Sequence, residues 1–539
     1  MNLPRRLGRC RGERPGFGER QATCRSRITS STKHVEEEAM MRRSRREVLR
    51  NAAVAGLALA TPRWAMGADR AGAGPNDEVR LAIIGLGGIG TVGGVGGRGR
   101  QLIDALRKAP GVRVAAICDV DKEILDHGVK LLEGRGQRVA AFADLRKVLD
   151  DKWIDAVAVA TPNHWHALAT VWACQAGKDV YVEKPFSYNI WEGAQMVAAA
   201  RKFGRMVQVG TQRRSSVALR RAFEYLRGGE IGPIRCARAI IYRPRQGIGK
   251  AGREMPVPAT VDYDLWCGPA PKTPLLRKQL HYDWHWVWPT GNGEIGNNGP
   301  HTIDVCRWAL GQDRPPPRAM SIGGRFRFDD DGETPNTQIA LFDYQPAPLI
   351  CEVRNLSSGK EADAAGRYRG ADRGVIIECE GGWLAGDASR VEVFDSSGKK
   401  IKEFRDDQGN ADLETAHLAN FVAAVKSRKA AALNAEAAEG HFSAACCHMA
   451  NVSHRLGKRA APEAIRDVIR SQPEMAEAFE RCQEHLRANG VDLRADQAVV
   501  GPWVTFDHVQ GRFVGPFAEA ANALSRRDYR KPFVVPTLT

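Results

Sequence analysis

One stretch restricts the fold of this chain more than any other. The apolar run Val79–Ile84 leads straight into Gly85-Leu86-Gly87-Gly88-Ile89-Gly90. A strand that turns on glycines into a helix is the dinucleotide fingerprint: one glycine makes the tight turn, one lets the pyrophosphate approach, one packs helix on strand. The glycines repeat as Gly94-Val95-Gly96-Gly97-Arg98-Gly99, and the acid that completes the pattern is Asp119, after the next apolar run. Asp119 lies 20 residues past Gly99 but 29 past Gly90, and the fingerprint expects about 20. The spacing therefore predicts a turn at Gly85-Leu86-Gly87, an inserted loop over roughly 88–96, and a helix starting near Gly97–Gly99. Gly85, Gly87, Gly88, Gly97, Arg98 and Gly99 would then surround the pyrophosphate, where the helix N-terminus favours an anion. Asp119 would accept from the ribose 2′-OH and repel a 2′-phosphate, which favours NAD and leaves NADP open.

The rest of residues 77–210 alternates in the same way. Strands are predicted at Val79–Ile84, Val112–Cys118, Ala156–Ala160, Val180–Val182 and Met206–Val209, with helices at Gly99–Lys108, Glu123–Leu132, Leu145–Asp150, Ala167–Gln175 and Trp191–Phe203. Nearly continuous apolar strands between helices imply a doubly wound, parallel α/β sheet covered on both faces, a Rossmann domain. Over 211–460 the pattern changes: one helix, Val217–Arg227, precedes the strands Ile234–Tyr242, Arg318–Phe328, Gln338–Tyr344, Leu349–Arg354, Gly374–Glu380 and Val391–Phe394. With helices at His301–Leu310 and Leu413–Lys426, this reads as an α+β domain whose mostly antiparallel sheet leaves one face open. Residues 461–539 form a C-terminal extension, helical first and irregular later.

Two motifs stand just past predicted parallel strands, where open α/β sheets build their sites. They are Thr161-Pro162-Asn163-His164-Trp165-His166 and Glu183-Lys184-Pro185. Their order and spacing, with the two-domain layout, resemble the Gfo/Idh/MocA oxidoreductases over about residues 78–460. The resemblance implies that Lys184 lies beside the nicotinamide and the substrate hydroxyl, where an ammonium stabilises alkoxide character. It puts Thr161, Pro162, Asn163, His166 and Glu183 along the cofactor, with Asn163 toward the nicotinamide ribose; His166 reads equally as a cap or packing residue. The family's second catalytic segment, acid then His four residues on then Asp, corresponds to Asn297, His301 and Asp304. His301 fits the acid/base position, its ordinary pKa near 6.5 suiting proton transfer at neutral pH. Asn297 replaces the Asp that dehydrogenases of the family often carry, which removes a charge from the relay. The dehydrogenase reading, with a sugar, polyol or related carbohydrate as substrate, thus has two alternatives: an NAD-dependent glycosidase working by oxidation, elimination and reduction, and a sugar-binding protein without turnover. The resemblance also implies a homo-oligomer formed on the open sheet face.

Residues 263–269 and 281–288 are dense in aromatics with polar groups between them, as a sugar site requires. Asn297, Asp304, His285 and Trp286 are the candidate substrate contacts. His281, Asp283 and His285 alternate in the manner of metal ligands, with His301 as a fourth, but nothing in the sequence brings His301 to them, and no metal is expected. No C-x-x-C pair occurs among the 12 cysteines, which removes zinc ribbons and thioredoxin-like sites.

The formal charge of +16 would suggest a nucleic-acid or membrane partner, but its distribution does not. Residues 1–39 carry +4 and read as a disordered or mis-assigned leader, since a second start exists at Met40 or Met41. Residues 40–68 carry +5: Arg42-Arg43-Ser44-Arg45-Arg46-Glu47-Val48-Leu49-Arg50, then a short apolar run, Ala52–Ala60. That is the pattern of a twin-arginine export signal, and the run is far short of the roughly 20 apolar residues of a membrane span. The remaining chain, at +7, has no basic block. The expectation is an exported, periplasmic enzyme without nucleic-acid partner or stable membrane insertion. Export implies that the cofactor travels tightly bound, and folding before export implies mostly free thiols.

Overall fold

The computed structural model describes residues 78–90, 97–357, 365–406 and 412–539. The leader, the twin-arginine segment and most of the glycine loop lie outside the described residues. The first sheet has six parallel strands: β1 (Val79–Ile84), β2 (Val112–Cys118), β3 (Ala140–Phe142), β4 (Ala156–Val159), β5 (Asp179–Val182) and β6 (Val207–Val209), ordered β3-β2-β1-β4-β5-β6. The order reverses between β1 and β4, so a crevice opens beyond their carboxyl ends, the place where such sheets hold ligands.

Period-two alternation divides the side chains of these strands between two cores. Leu81, Ile83, Ala156, Ala158 and Tyr181 face one core, with helices α1 (Arg98–Leu106) and α2 (Lys122–Glu133). Ala82, Ile84, Val157, Val159, Val180 and Val182 face the other, with α3 (Leu145–Asp150), α4 (Asn163–Gln175) and α5 (Ile190–Lys202). Caps fix the helix starts. Asp121 accepts from the Glu123 N–H, and Asn189 from the Glu192 N–H while its own amide reaches the Glu192 carboxylate, a reciprocal cap. Two later segments also join these cores. Leu418, Phe421 and Val422 of the helix Leu413–Ser427 pack beside Leu81 and Tyr181, and Phe533 and Val535 near the C-terminus pack beside Trp165 and Val182.

After α6 (Val217–Arg227) a second sheet begins. Its main strands are β7 (Ile234–Tyr242), β8 (Arg318–Gly324), β9 (Thr337–Phe342), β10 (Leu349–Arg354), β11 (Arg373–Cys379), β12 (Gly382–Gly386), β13 (Arg390–Asp395) and β14 (Lys400–Arg405). They run in the order β14-β13-β12-β11-β7-β10-β9-β8, antiparallel except for the β10/β7 pair. β12 and β14 were not foreseen. The ends of β12 are glycines because a Cβ at Gly382 would stand 2.0 Å from the Phe394 carbonyl oxygen, and one at Gly386 2.1 Å from that of Arg390. Glycines that look like a turn in sequence are there to let a neighbouring strand close in.

One face of this sheet buries α6, the helix Gly299–Leu310 and the helix Ala437–Leu456. The extension is more ordered than its composition suggests. Ile465, Ile469, Met475, Phe479 and Leu486, on helices Pro462–Ile469 and Pro473–Ala488, pack against Met320, Ile322, Ile339, Leu341 and Ile350 of β8–β10. Strands Lys458–Ala460 and Ala498–Val500 then extend the β8 edge, and Val504–Asp507 also pairs with β8. The face expected to stay open for self-association is thereby covered over β8–β10 by the chain itself. Among the described residues no helix is long and apolar enough to cross a membrane.

Candidate active site

The glycine-rich turn follows β1 directly. Gly85 and Gly87 adopt positive φ (86° and 77°), and Gly97, also left-handed, caps α1. The reasons are steric: a Cβ at Gly87 would stand 2.7 Å from the Gly97 Cα, and one at Gly99 2.0 Å from the Gly85 carbonyl oxygen. The second glycine cluster thus starts the helix, as the spacing to Asp119 predicts. Gly99 packs helix against turn and does not line the cleft. Arg100, which sequence reasoning missed, holds the turn by donating to the carbonyls of Gly87 (3.0 Å) and Gly88 (2.5 Å).

A cleft of about 390 Å³ runs from this turn across the switch point. Gly85, Gly87, Gly88, Gly97, Arg98, Asp119, Thr161, Pro162, Asn163, Glu183, Lys184, His285 and Asn297 all line it. Asp119 is buried, accepting from the Leu86 N–H at 2.8 Å and the Asp121 N–H at 3.0 Å. The Thr161 hydroxyl is buried without a partner, and each buried orphan of this kind calls for an explanation, a ligand among them. The far wall comes from a later segment of the chain: Leu265, Trp266, Leu280 and His281 line the cleft, and His281 reaches Asp121 at 2.9 Å. Trp165 ties this wall to the first domain by donating to the Leu265 carbonyl at 2.9 Å.

At the other end, Lys184 follows β5. Its ammonium donates to the backbone oxygen of Asn297 at 2.8 Å and to Oδ1 of the same residue at 2.9 Å. Burial lowers the Lys184 pKa to about 8, against the pull of Glu183. Arg98 explains why Glu183 is there. Its guanidinium bridges Glu183 (2.8 Å) and Glu414 of the helix Leu413–Ser427 (2.7 Å), so the carboxylate beside Lys184 is neutralised across the domains. Asn163 donates to Asn292 Oδ1 at 2.9 Å. His301 opens the helix that follows Asn297, and its Nδ1 is buried without a partner. Burial, with Lys184, Arg213 and Arg98 nearby, holds its pKa well below the usual imidazole value, so the ring is neutral at pH 7.

Besides Gly99, four expected site residues do not line the cleft: His301, which lies near enough to feel the Lys184 charge, and the three that follow. His166 does not line the cleft: its two ring nitrogens meet the carbonyls of Pro185 (2.6 Å) and Thr161 (2.9 Å), strapping one motif to the other. Asp304 is fully buried and committed to Arg214 (2.8 and 3.0 Å), with the Ser443 hydroxyl donating at 2.7 Å. Trp286 is buried beside Arg245, whose guanidinium carbon lies 5.7 Å from its ring centre. His281, Asp283 and His285 diverge: Asp283 accepts from the Gln279 N–H, His281 meets Asp121, and His285 stacks on Trp284 at 3.6 Å. Among the described residues no group of three or more His, Cys, Asp or Glu is placed to hold a metal. The ten described cysteines are buried and unpaired.

Comparison with known proteins agrees with this geometry. Residues 79–211 match the Gfo/Idh/MocA oxidoreductase family's NAD-binding Rossmann fold, and residues 246–366 match its C-terminal alpha/beta domain. Two successive stretches of the chain are thus similar to the two domains of this oxidoreductase family. It is 29% identical over 162 residues to scyllo-inositol 2-dehydrogenase (NAD(+)) of Bacillus subtilis, a match covering 29% of this chain and 42% of that protein. It is 33% identical over 172 residues to a glycosyl hydrolase family 109 protein of Solibacter usitatus, covering 29% and 36%. These matches span about two fifths of the relatives' own length. A putative NADPH-dependent oxidoreductase of Desulfitobacterium hafniense shares the fold, with a TM-score of 0.50 and 15% identity over 70% of this chain and 96% of that one.

Proposed function

We propose that the protein is an NAD-dependent oxidoreductase acting on the CH–OH group of a sugar, polyol or related carbohydrate. The observation that carries this reading is Lys184, a buried ammonium at one end of a glycine-lined cleft. Two of its three protons are spent on Asn297, which leaves one for a substrate oxygen.

The residues present fit a dinucleotide: Gly85, Gly87 and Gly97 line the cleft at the turn before a helix N-terminus, Asp119 offers carboxylate oxygens, and the unpartnered Thr161 hydroxyl belongs to the same cleft. NAD is favoured over NADP because a 2′-phosphate would meet the Asp119 carboxylate. When bound, the nicotinamide supplies the redox partner for the substrate carbon. Lys184 holds the substrate oxygen and stabilises the negative charge that grows on it. Neutral His301 accepts the hydroxyl proton in oxidation and returns it in reduction. Trp165 and the His281–Asp121 contact tie the far wall to the first domain, which would help retain a bound dinucleotide. We propose further that the twin-arginine segment Arg42–Arg50 exports the folded, loaded protein to the periplasm.

A second reading keeps the cofactor and changes the outcome. Asn297, uncharged where dehydrogenases of the family often carry an acid, and the likeness to glycosyl hydrolase family 109 proteins favour an NAD-dependent glycosidase. Purified protein incubated with sugars, polyols and aryl glycosides separates the two. Substrate-driven change in nicotinamide absorbance supports the oxidoreductase, and NAD-dependent release of the aryl group supports the glycosidase. His301→Ala should lower either rate about 10²–10⁴-fold, and an unchanged rate removes His301 from the reaction.

A further inference from the structure

The roles given to Lys184 and His301 leave His285 unused, although it lines the same cleft as Lys184 and Asn297. Its Nδ1 lies 2.6 Å from the Tyr282 carbonyl oxygen. A carbonyl only accepts, so Nδ1 carries the ring proton and donates it there. Burial, with Lys184 and Arg245 nearby, lowers the pKa of the ring to about 3. The imidazole is therefore neutral at pH 7, and Nε2 is left as a bare acceptor. That nitrogen has no hydrogen-bond partner among the described residues, and it is open to the cleft rather than sealed in protein.

The ring is also held in one orientation. Trp284 stacks on it at 3.6 Å, 20° from parallel. The turn Asp283–Trp286 that carries it is closed by the segment that follows. There the Thr290 hydroxyl donates to the Trp284 carbonyl at 2.9 Å, and a Cβ at Gly291 would stand 2.3 Å from the His285 carbonyl oxygen. Only glycine lets the chain come so close. The helix Gly293–Asn297 packs against the same turn. Its Glu294 binds Arg245 (3.1 and 3.2 Å), and Arg245 donates to the Tyr282 hydroxyl at 3.2 Å. Its last residue, Asn297, accepts both hydrogen bonds from Lys184. One short stretch, 282–297, thus fixes the ammonium of Lys184 and the acceptor nitrogen of His285 together.

From this arrangement we infer that His285 determines specificity by accepting a hydrogen bond from a second hydroxyl of the substrate, beside the one that reacts at Lys184. The substrate is then a diol or polyol whose second group must be a hydrogen-bond donor. An ether, a ketone or a bare methylene at that position leaves Nε2 unpaired. The inference rests on the placement of Lys184 at the reacting centre given above. Lys184 donates and His285 accepts, and a pair of hydroxyls satisfies both, because each hydroxyl can do either. A site built around such a group rejects an analogue that lacks a single hydroxyl, because its own polar atom then stays unpaired.

The test uses the full chain loaded with NAD. A panel of hexoses, pentoses and inositols gives the parent that binds best, and its single-position deoxy and deoxyfluoro analogues are then compared with it. Fluorine keeps roughly the size of a hydroxyl but has no proton to donate. Titration calorimetry reads binding and nicotinamide absorbance reads turnover. At one position besides the reacting one, the deoxy and the deoxyfluoro analogue should both bind about 10–100-fold more weakly than the parent. In His285→Phe, which keeps a ring against Trp284 but offers no acceptor, that loss should all but vanish while losses at other positions stay. His285→Gln, which supplies an acceptor oxygen, should regain part of it. Fluorinated analogues that bind as well as the parent at every position overturn the inference without any variant, as does a loss that survives His285→Phe. Weaker NAD binding in His285→Phe with unchanged sugar ratios gives the nitrogen to the cofactor and also overturns it. A panel in which nothing binds overturns it together with the carbohydrate reading. Position-selective binding with no absorbance change on any compound defeats the oxidoreductase reading and leaves the hydroxyl contact in place.

Discussion

Replacing Lys184 with methionine separates what this residue does for the reaction from what it does to the fold. Methionine keeps the length and apolar stem but leaves the substrate oxygen without its cation. Losing one preorganised donor at a developing oxyanion costs about 10²–10³ in kcat, or about 3–4 kcal/mol. The effect on stability runs the other way. Burial moves the Lys184 pKa from 10.5 to about 8, so between those values the unfolded chain holds one more proton and stability rises with pH. Below pH 8 the folded protein keeps the charge at a disadvantage of up to about 3 kcal/mol, taken at 1.36 kcal/mol per unit. Lys184→Met removes that cost and forfeits two hydrogen bonds to Asn297, each worth about 1 kcal/mol. The ligand-free variant should therefore melt no lower than the wild type at pH 7, while kcat on the best substrate falls by two to three orders of magnitude. The assay pairs steady-state kinetics with thermal unfolding of the same preparation. A kcat within threefold of wild type refutes the reaction role. A variant that loses activity and also melts several degrees lower refutes the reasoning about its charge. The wild-type rate, if it needs the ammonium, should fall as pH rises through about 8.

Further outcomes follow from the same geometry. Asp119→Ser should weaken NAD binding about tenfold and strengthen NADP binding, because the carboxylate proposed to meet the ribose is gone; dinucleotide titration checks the reversal. Asp304→Asn breaks a buried ion pair with Arg214 and should lower unfolding free energy by about 3–5 kcal/mol in urea titration. Phe533→Ala removes a buried ring lying 5.5 Å, edge-on, from Trp165. It should cost about 3–5 kcal/mol and also speed NAD loss, because Trp165 lines the cleft.

Local chemistry was legible in the sequence wherever near neighbours enforce it. The turn at Gly85–Gly87 and the helix start at Gly97 follow from steric demands a few residues apart, which the 20-residue spacing to Asp119 exposed. The strands β1, β2, β7 and β10 fall at their predicted bounds because unbroken apolar alternation allows little else. What escaped depends on distant partners. Nothing local to Arg98 indicates that its counter-charges are Glu183 and Glu414, from opposite halves of the chain. The strand Gly382–Gly386 reads as a turn until the approach of β13 is known. The helix Leu413–Ser427 carries an apolar face, but only the tertiary structure sends that face to the first sheet. Asp304 and Trp286 sit in the expected motifs, and their burial against Arg214 and Arg245 is invisible to motif spacing. His166 combined both readings: it belongs to the motif, yet it acts as the strap between two turns.

The cleft between Gly85 and Lys184 should hold a nicotinamide dinucleotide that reacts there. The most direct measurement follows the nicotinamide absorbance near 340 nm of purified full-length protein supplied with NAD as hexoses and polyols are added, with Lys184→Met in parallel. The wild type should bind NAD and at least one of these compounds should reduce it, while the variant should bind NAD with similar affinity and leave it oxidised. Wild-type protein that binds neither NAD nor NADP, or a Lys184→Met variant that reduces NAD as fast as the wild type, would contradict this reading.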